Sequence, residues 1–201
     1  MSTEQGPIRI VTIAGSVRPG NFTSKALAVV NAELAANEKV SVETIDPAAL
    51  ELAMPGLPAT EDGERIRALV EGATGVVLAT PEYHGSYSSV IKLVIENLGF
   101  PSVLGGKPIA LLGVAAGQIG AIKSLESLRG VVSHVGGIVM PGAVSVAGVQ
   151  RHFDEEGACS DPGTERRLKG LATNLVHYIE GAICPRISLE AMARESAAKS
   201  D

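Results

Sequence analysis

Ile8-Arg9-Ile10-Val11-Thr12-Ile13-Ala14-Gly15-Ser16-Val17-Arg18-Pro19-Gly20-Asn21-Phe22-Thr23-Ser24-Lys25 is an apolar, β-branched run that breaks into a loop of hydroxyls, glycines and one arginine before a helix. The strand delivers the chain to a tight turn in which Gly15 and Gly20 permit close backbone approach. The helix opening near Phe22 turns its unpaired N–H groups and positive dipole end back toward that turn. Ser16, Asn21, Thr23 and Ser24 add side-chain donors, and Arg18 adds a charge-assisted one. This density of donors suits a phosphate monoester. The competing reading is an ordinary strand-to-helix connection capped by Thr23 or Ser24. No Gly-Lys-Ser/Thr follows a first glycine at the required spacing and no Gly-x-Gly-x-x-Gly occurs, so triphosphates and the usual dinucleotide grip are disfavoured.

Outward from this unit, strand-like and helix-like stretches alternate to the end of the chain, the signature of a parallel sheet covered on both faces. Strands are expected at Ile8 to Ala14, Val40 to Ile45, Gly75 to Thr80, Pro108 to Val114 and Gly137 to Val146. Their apolar runs suit strands buried on both faces. Between them, apolar residues recur at helical spacing: Leu27, Val30 and Leu34; Ile66, Leu69 and Val70; Ile122, Leu125, Leu128 and Val132; Leu168, Leu171, Leu175 and Ile179. Five βα units predict an α/β doubly wound five-stranded parallel sheet in a three-layer α/β/α sandwich, with the flavodoxin-like strand order 2-1-3-4-5 as a common way to close it. One domain over residues 1–182 is expected, followed by an Ala- and charge-rich tail over 183–201 that would fray or dock as a short helix. The Pro-rich stretch Asp46 to Pro58 reads as a long loop inside the domain.

A chain of 201 residues with 45% hydrophobic content has enough apolar material for one proper core. Its net charge of −5 leaves no basic footprint, so neither nucleic acid nor an anionic membrane surface is an expected partner. No apolar run approaches the roughly 18–20 residues that cross a bilayer, and Met1 to Pro7 is unlike a signal peptide, so a cytoplasmic location is expected. Cys159 and Cys184 stand alone, and His84, His134, His152 and His177 form no ligand-type cluster, so no metal is expected. Ser88 to Leu98 differs from the other helices: Val90, Ile91, Leu93, Val94, Ile95 and Leu98 leave only Lys92, Glu96 and Asn97 for water. A helix apolar over most of its circumference needs cover on a second side, and a partner subunit is expected to supply it, the competing reading being a helix buried beneath the chain's own loops.

In doubly wound sheets, ligands sit outside the carboxyl ends of the strands, at the switch point between first and third. Three loops meet there. Besides Gly15 to Ser24, they are Thr80-Pro81-Glu82-Tyr83-His84-Gly85-Ser86-Tyr87 and Ala115-Ala116-Gly117-Gln118-Ile119-Gly120. The middle loop pairs aromatic faces with backbone donors around Glu82 to Gly85, which suits a flat heteroaromatic ring with polar edges.

Gly15-Ser16-Val17-Arg18 with its Asn21 to Lys25 continuation, Pro81-Glu82-Tyr83-His84-Gly85-Ser86 and Gly117-Gln118-Ile119-Gly120-Ala121 together resemble the NAD(P)H-dependent FMN reductases of the flavodoxin-like superfamily, which include quinone, azo-dye and chromate reductases. The resemblance runs over roughly residues 8 to 180, and Pro-Glu-Tyr-x-Gly-Ser is its most specific part. It implies an FMN-containing oxidoreductase that moves hydride from NAD(P)H to FMN and on to free flavin, a quinone, an azo compound or chromate. It also implies that Ser16, Arg18, Asn21, Thr23 and Ser24 hold the FMN phosphate, that Pro81, Glu82, Tyr83, His84 and Gly85 line the isoalloxazine, and that Gly117 and Gln118 approach it from the third loop. No side chain is implied as catalytic. A homodimer or homotetramer through the helix Ser88 to Leu98 is implied as well. The alternative is a flavodoxin-like FMN electron carrier without nicotinamide activity, a class usually more acidic than this chain. The chain's departures are Asn21 where relatives commonly carry Ser, Thr23 or Ser24 where they carry Asn, and His84 where Asn is frequent.

Overall fold

The computed structural model describes residues 8–198. Six strands and six α-helices follow one another as β1 (Ile8–Ala14), α1 (Phe22–Ala35), β2 (Val40–Ile45), α2 (Glu61–Glu71), β3 (Gly75–Pro81), α3 (Ser89–Asn97), β4 (Pro108–Val114), α4 (Ile122–His134), β5 (Ile138–Val139), β6 (Val144–Val146), α5 (Pro162–Tyr178) and α6 (Cys184–Ala198). All strand pairs are parallel, in the order β2-β1-β3-β4-β5, with β6 also on β4. That is the doubly wound order expected from the alternation of elements.

Every residue of β3 and β4 is buried, because helices cover both faces. Side-chain alternation sends Ile10, Val77, Ala79 and Leu112 into one core with α1 and α5. Ile13, Val76, Leu78 and Leu111 enter the other with α2, α3 and α4.

Two sequence expectations change. The single fifth strand Gly137 to Val146 is broken: Met140 still donates to the Ile109 carbonyl, but Pro141 has no N–H to offer and Gly142 takes φ +78°. The chain then rejoins β4 at Leu112↔Val144, so two short strands share the fifth position. Second, α3 is covered by its own chain more fully than its composition suggested. Ile91, Val94, Ile95 and Leu98 all face the core, leaving Val90 and Leu93 half-buried beside the Lys92–Glu96 ion pair. The segment after α5 passes through a π-helical turn at Ile179–Ile183 into α6.

Candidate functional site

The carboxyl ends of β1 and β3 lie side by side, with Ala14 opposite Ala79 in register. Beyond them a buried polar ladder locks the first two loops together. The Ser88 hydroxyl donates to the Gly15 carbonyl (2.6 Å) and accepts from the Ile91 amide (3.1 Å), while the Ser88 amide donates to Thr80 Oγ1 (3.0 Å). Ser88 is therefore the N-cap of α3 and the tie to the first loop at once. A Cβ at Gly15 would stand 2.4 Å from the Ala79 carbonyl oxygen, so only glycine allows this approach.

In the first loop, Asn21 caps α1: its Oδ1 accepts from the Ser24 amide (2.8 Å), and its Nδ2 donates to the Arg18 carbonyl (2.8 Å). Both ends of this amide are thus engaged within the loop, and the cap is Asn21 rather than Thr23 or Ser24. Gly20 takes φ +63° to make the bend. The Phe22 and Thr23 amides, at the start of α1, remain as helix-end donors. Thr23 is 1% exposed, and its hydroxyl has no hydrogen-bond partner among the described residues. The Arg18 side chain is exposed and pairs with no carboxylate among them.

The second loop closes as a two-residue hairpin. Tyr83 and Ser86 exchange both backbone hydrogen bonds at 3.0 Å, with His84 (φ +51°) and Gly85 (φ +74°) at the tip. Positive φ at both tip residues is the type I′ pattern. Glu82 turns its carboxylate to α4, accepting from the Ser124 amide at 3.1 Å; the N-cap residue there, Ala121, has no side chain able to do so. The amides of Glu82, Tyr83 and Ser86 are all bonded inside the chain, while those of His84 and Gly85 at the hairpin tip are not.

The third loop joins a fourth segment that sequence reasoning missed. Gly117 accepts from the Gly120 and Gly148 amides, Val149 donates to the Ala115 carbonyl, and Gln150 Nε2 donates to the Ala116 carbonyl (3.3 Å). Together the segments enclose a cavity of about 490 Å³, lined by residues 18–23, 81–83, 114–116 and 149–150. Ligand pockets commonly measure about 300–1,000 Å³. Of the residues expected from sequence, Arg18, Asn21, Thr23, Pro81, Glu82 and Tyr83 line this cavity. Ser16 and Ser24 instead line a second cavity of about 510 Å³ on the other side of the first loop, where Arg18 and Asn21 form the shared lip and Asp46 and Glu156 add carboxylates. His84, Gly85, Gly117 and Gln118 line neither cavity. The missed Val149 and Gln150 follow the fifth-position strand, and the rule that ligands gather at strand ends includes that loop too.

Residues 8–151 match the NADPH-dependent FMN reductase family. The chain is 31% identical over 164 residues to an NAD(P)H-dependent FMN reductase of Pseudomonas aeruginosa, covering 77% of this chain and 85% of that enzyme. It is 32% identical over 117 residues to an NADPH azoreductase of Bacillus sp., a match that covers 58% of this chain and 65% of the azoreductase. Among solved structures, the flavoenzyme NAD(P)H:(acceptor) oxidoreductase of Paracoccus denitrificans superposes with a TM-score of 0.71 at 26% identity, covering 86% of this chain and 97% of that one.

Proposed function

The chain belongs to the NADPH-dependent FMN reductase family, and from that premise we propose that its 490 Å³ cavity holds FMN while NAD(P)H and then a small electron acceptor use the open side. The observation that carries this reading is the convergence of four strand-end segments and the N-terminus of α1 on one cavity. The residues fit the cofactor. Thr23 lines the cavity where a phosphate would meet the Phe22 and Thr23 amides at the start of α1, and Arg18 stands at the lip with an exposed charge. The outer cavity combines the cations Arg18 and Lys25 with the carboxylates Asp46 and Glu156, so the start of α1 rather than net charge favours the inner cavity for the phosphate.

When bound, FMN supplies the acceptance and delivery of hydride. The chain's own residues bind and orient. Tyr83 offers a ring face, Val114 to Ala116 and Val149 form an apolar wall, and the Ala116 amide in that wall is a donor available to charge that develops on a ring. No side-chain acid or nucleophile is required for this role.

Free flavin, quinones, azo compounds and chromate are the acceptor classes in this reading. Family membership favours an enzyme over an electron carrier. A cytoplasmic location is part of the proposal, and no helix among the described residues is long and apolar enough to cross a membrane. So is a homodimer or homotetramer on the α3 side, supported by Phe100, which is 96% exposed just past α3.

The test is anaerobic titration of the purified protein with FMN, followed by NADH or NADPH while the flavin absorbance is recorded. Bleaching is expected with at least one nucleotide, and binding of FMN without bleaching by either would return the carrier reading. Arg18→Ala is expected to weaken FMN affinity by about tenfold or more, the loss typical of one charge-assisted hydrogen bond to an anion. Unchanged affinity would remove Arg18 from the phosphate site.

A further inference from the structure

His152 lies outside the cavity, yet both of its ring nitrogens are engaged by the structure that holds the cavity wall. Nε2 sits 3.1 Å from the Ala147 carbonyl oxygen, which can only accept, so Nε2 carries the proton. Nδ1 is then free to accept, and the Thr164 hydroxyl stands 3.1 Å away with the Arg167 guanidinium donating to the same hydroxyl oxygen at 3.0 Å. Asp161 Oδ1, the N-cap acceptor of α5, is 3.3 Å from the same Nδ1. Between Ala147 and His152 run Val149 and Gln150, the two residues that close the cavity against the third loop. Arg167 adds a bond from Nη1 to the Ser145 carbonyl at 3.1 Å. The wall is therefore hung on the first turns of α5.

We propose that His152 is a positioning residue: its imidazole pins the Ala147–Gln150 wall to α5 in both protonation states, bonding Thr164 when neutral and Asp161 when charged. The inference rests on the reading of the cavity as the FMN site. The charged groups on the elements packed around the ring are Asp161 and Arg167 from α5 and, on its own segment, Arg151, whose guanidinium folds over Gly148. Asp161 is the one that matches an imidazolium; Arg167 opposes it. The pin therefore holds a charged ring only while Asp161 keeps its charge. The Thr164 hydrogen bonds hold the Asp161 carboxyl below the usual carboxylate range, which keeps that charge in place.

Two readouts test this. The first uses the cofactor-free protein and follows amide hydrogen exchange at Gly148 and Val149, whose N–H groups bond Gly117 and Ala115. His152→Ala is expected to speed exchange there by about tenfold, with β1 amides unchanged, and His152→Gln, which keeps a donor for the Ala147 carbonyl, is expected to restore it. The second is FMN affinity, by fluorescence quenching, of Asp161→Asn relative to wild type from pH 8 to pH 5.5; asparagine keeps the α5 cap but not the charge. The ratio of dissociation constants is expected to rise by about threefold or more toward low pH, and taking the ratio cancels titration of the FMN phosphate itself. Equal exchange in wild type and His152→Ala, a glutamine variant that fails to restore protection, or a ratio that stays flat would each overturn the proposal. If wild type binds no FMN while exchange follows the expected pattern, the flavin reading fails and the pinning role stands.

Discussion

At His84 the backbone takes φ +51° with no glycine to make it cheap, and the reason is the turn. A two-residue type I′ loop needs positive φ at both central positions, and asparagine or glycine meets the first of them at least cost. Histidine tolerates it better than most residues, and a β-branched side chain does not. His84→Asn is therefore expected to leave stability unchanged or raise it by up to about 1 kcal/mol, while His84→Val should cost about 1–2 kcal/mol. Urea unfolding of the three proteins checks the order; equal midpoints would mean that the hairpin does not hold its tip in this conformation. This scale was the least legible in the sequence. Pro81 to Gly85 reads as a ring-binding loop, but periodicity and composition say nothing of which amides the hairpin consumes. The Glu82 carboxylate is the clearest case: the motif points it at a ligand, and the uncapped start of α4 captures it from 42 residues away.

Elements were read more surely than their ends or their ties. β1 and β4 carry runs that are nearly all apolar or β-branched, and β2, at the edge of the sheet, alternates Val40, Val42 and Thr44 with polar residues; all three fall where the sequence puts them. The fifth strand does not, because a window rich in valine outweighs one Pro-Gly step in a hydrophobicity reading, although that step removes a ladder donor. The long loop after β2 shows the other limit. Asn97 on α3 holds it by accepting from the Ala53 amide (3.1 Å) and donating to its carbonyl (2.9 Å), a contact between segments that no local pattern connects. Its base is held at α2, where Asp62 accepts from the Glu51 amide at 2.8 Å and pairs with Arg65. The Glu51 amide first, then Arg65, hold the Asp62 carboxyl below its ordinary range. A carboxyl so lowered contributes stability that is complete above its unfolded value, near about 3.9, and is lost as pH falls below it toward the folded value. Wild type is accordingly expected to exceed Asp62→Asn in urea midpoint by a constant margin above about pH 5, and the margin should shrink below about pH 4. A margin independent of pH across that window would show that the charge of Asp62 does not hold the loop.

For the molecule as a whole, the doubly wound order follows from the alternation of elements and the two-sided burial of β3 and β4, both visible in the chain. What surface it presents is not visible in the same way. The composition of α3 asks for a second cover, and the fold supplies most of it: Val94, central in that helix, is fully buried in the domain core, so a charge there would unfold the chain rather than separate subunits. The exposed apolar surface lies at the helix's end. Phe100 is 96% exposed, and the loop after β2 brings Met54 and Leu57, also largely exposed, to a shallow cavity of about 190 Å³ that Asn97 and Gly99 share. An almost fully exposed phenylalanine marks an interaction site on the physical cost of leaving its ring in water, and an isologous pairing would bury it against its own copy. Phe100→Glu is expected to convert an oligomer into a monomer in sedimentation velocity while leaving the thermal midpoint within about the range of a surface substitution, because the side chain touches little within its own chain. Leu93→Glu, half-buried on the same helix, should weaken assembly with a larger loss of stability. A wild-type protein that sediments as a monomer at every concentration would overturn the pairing.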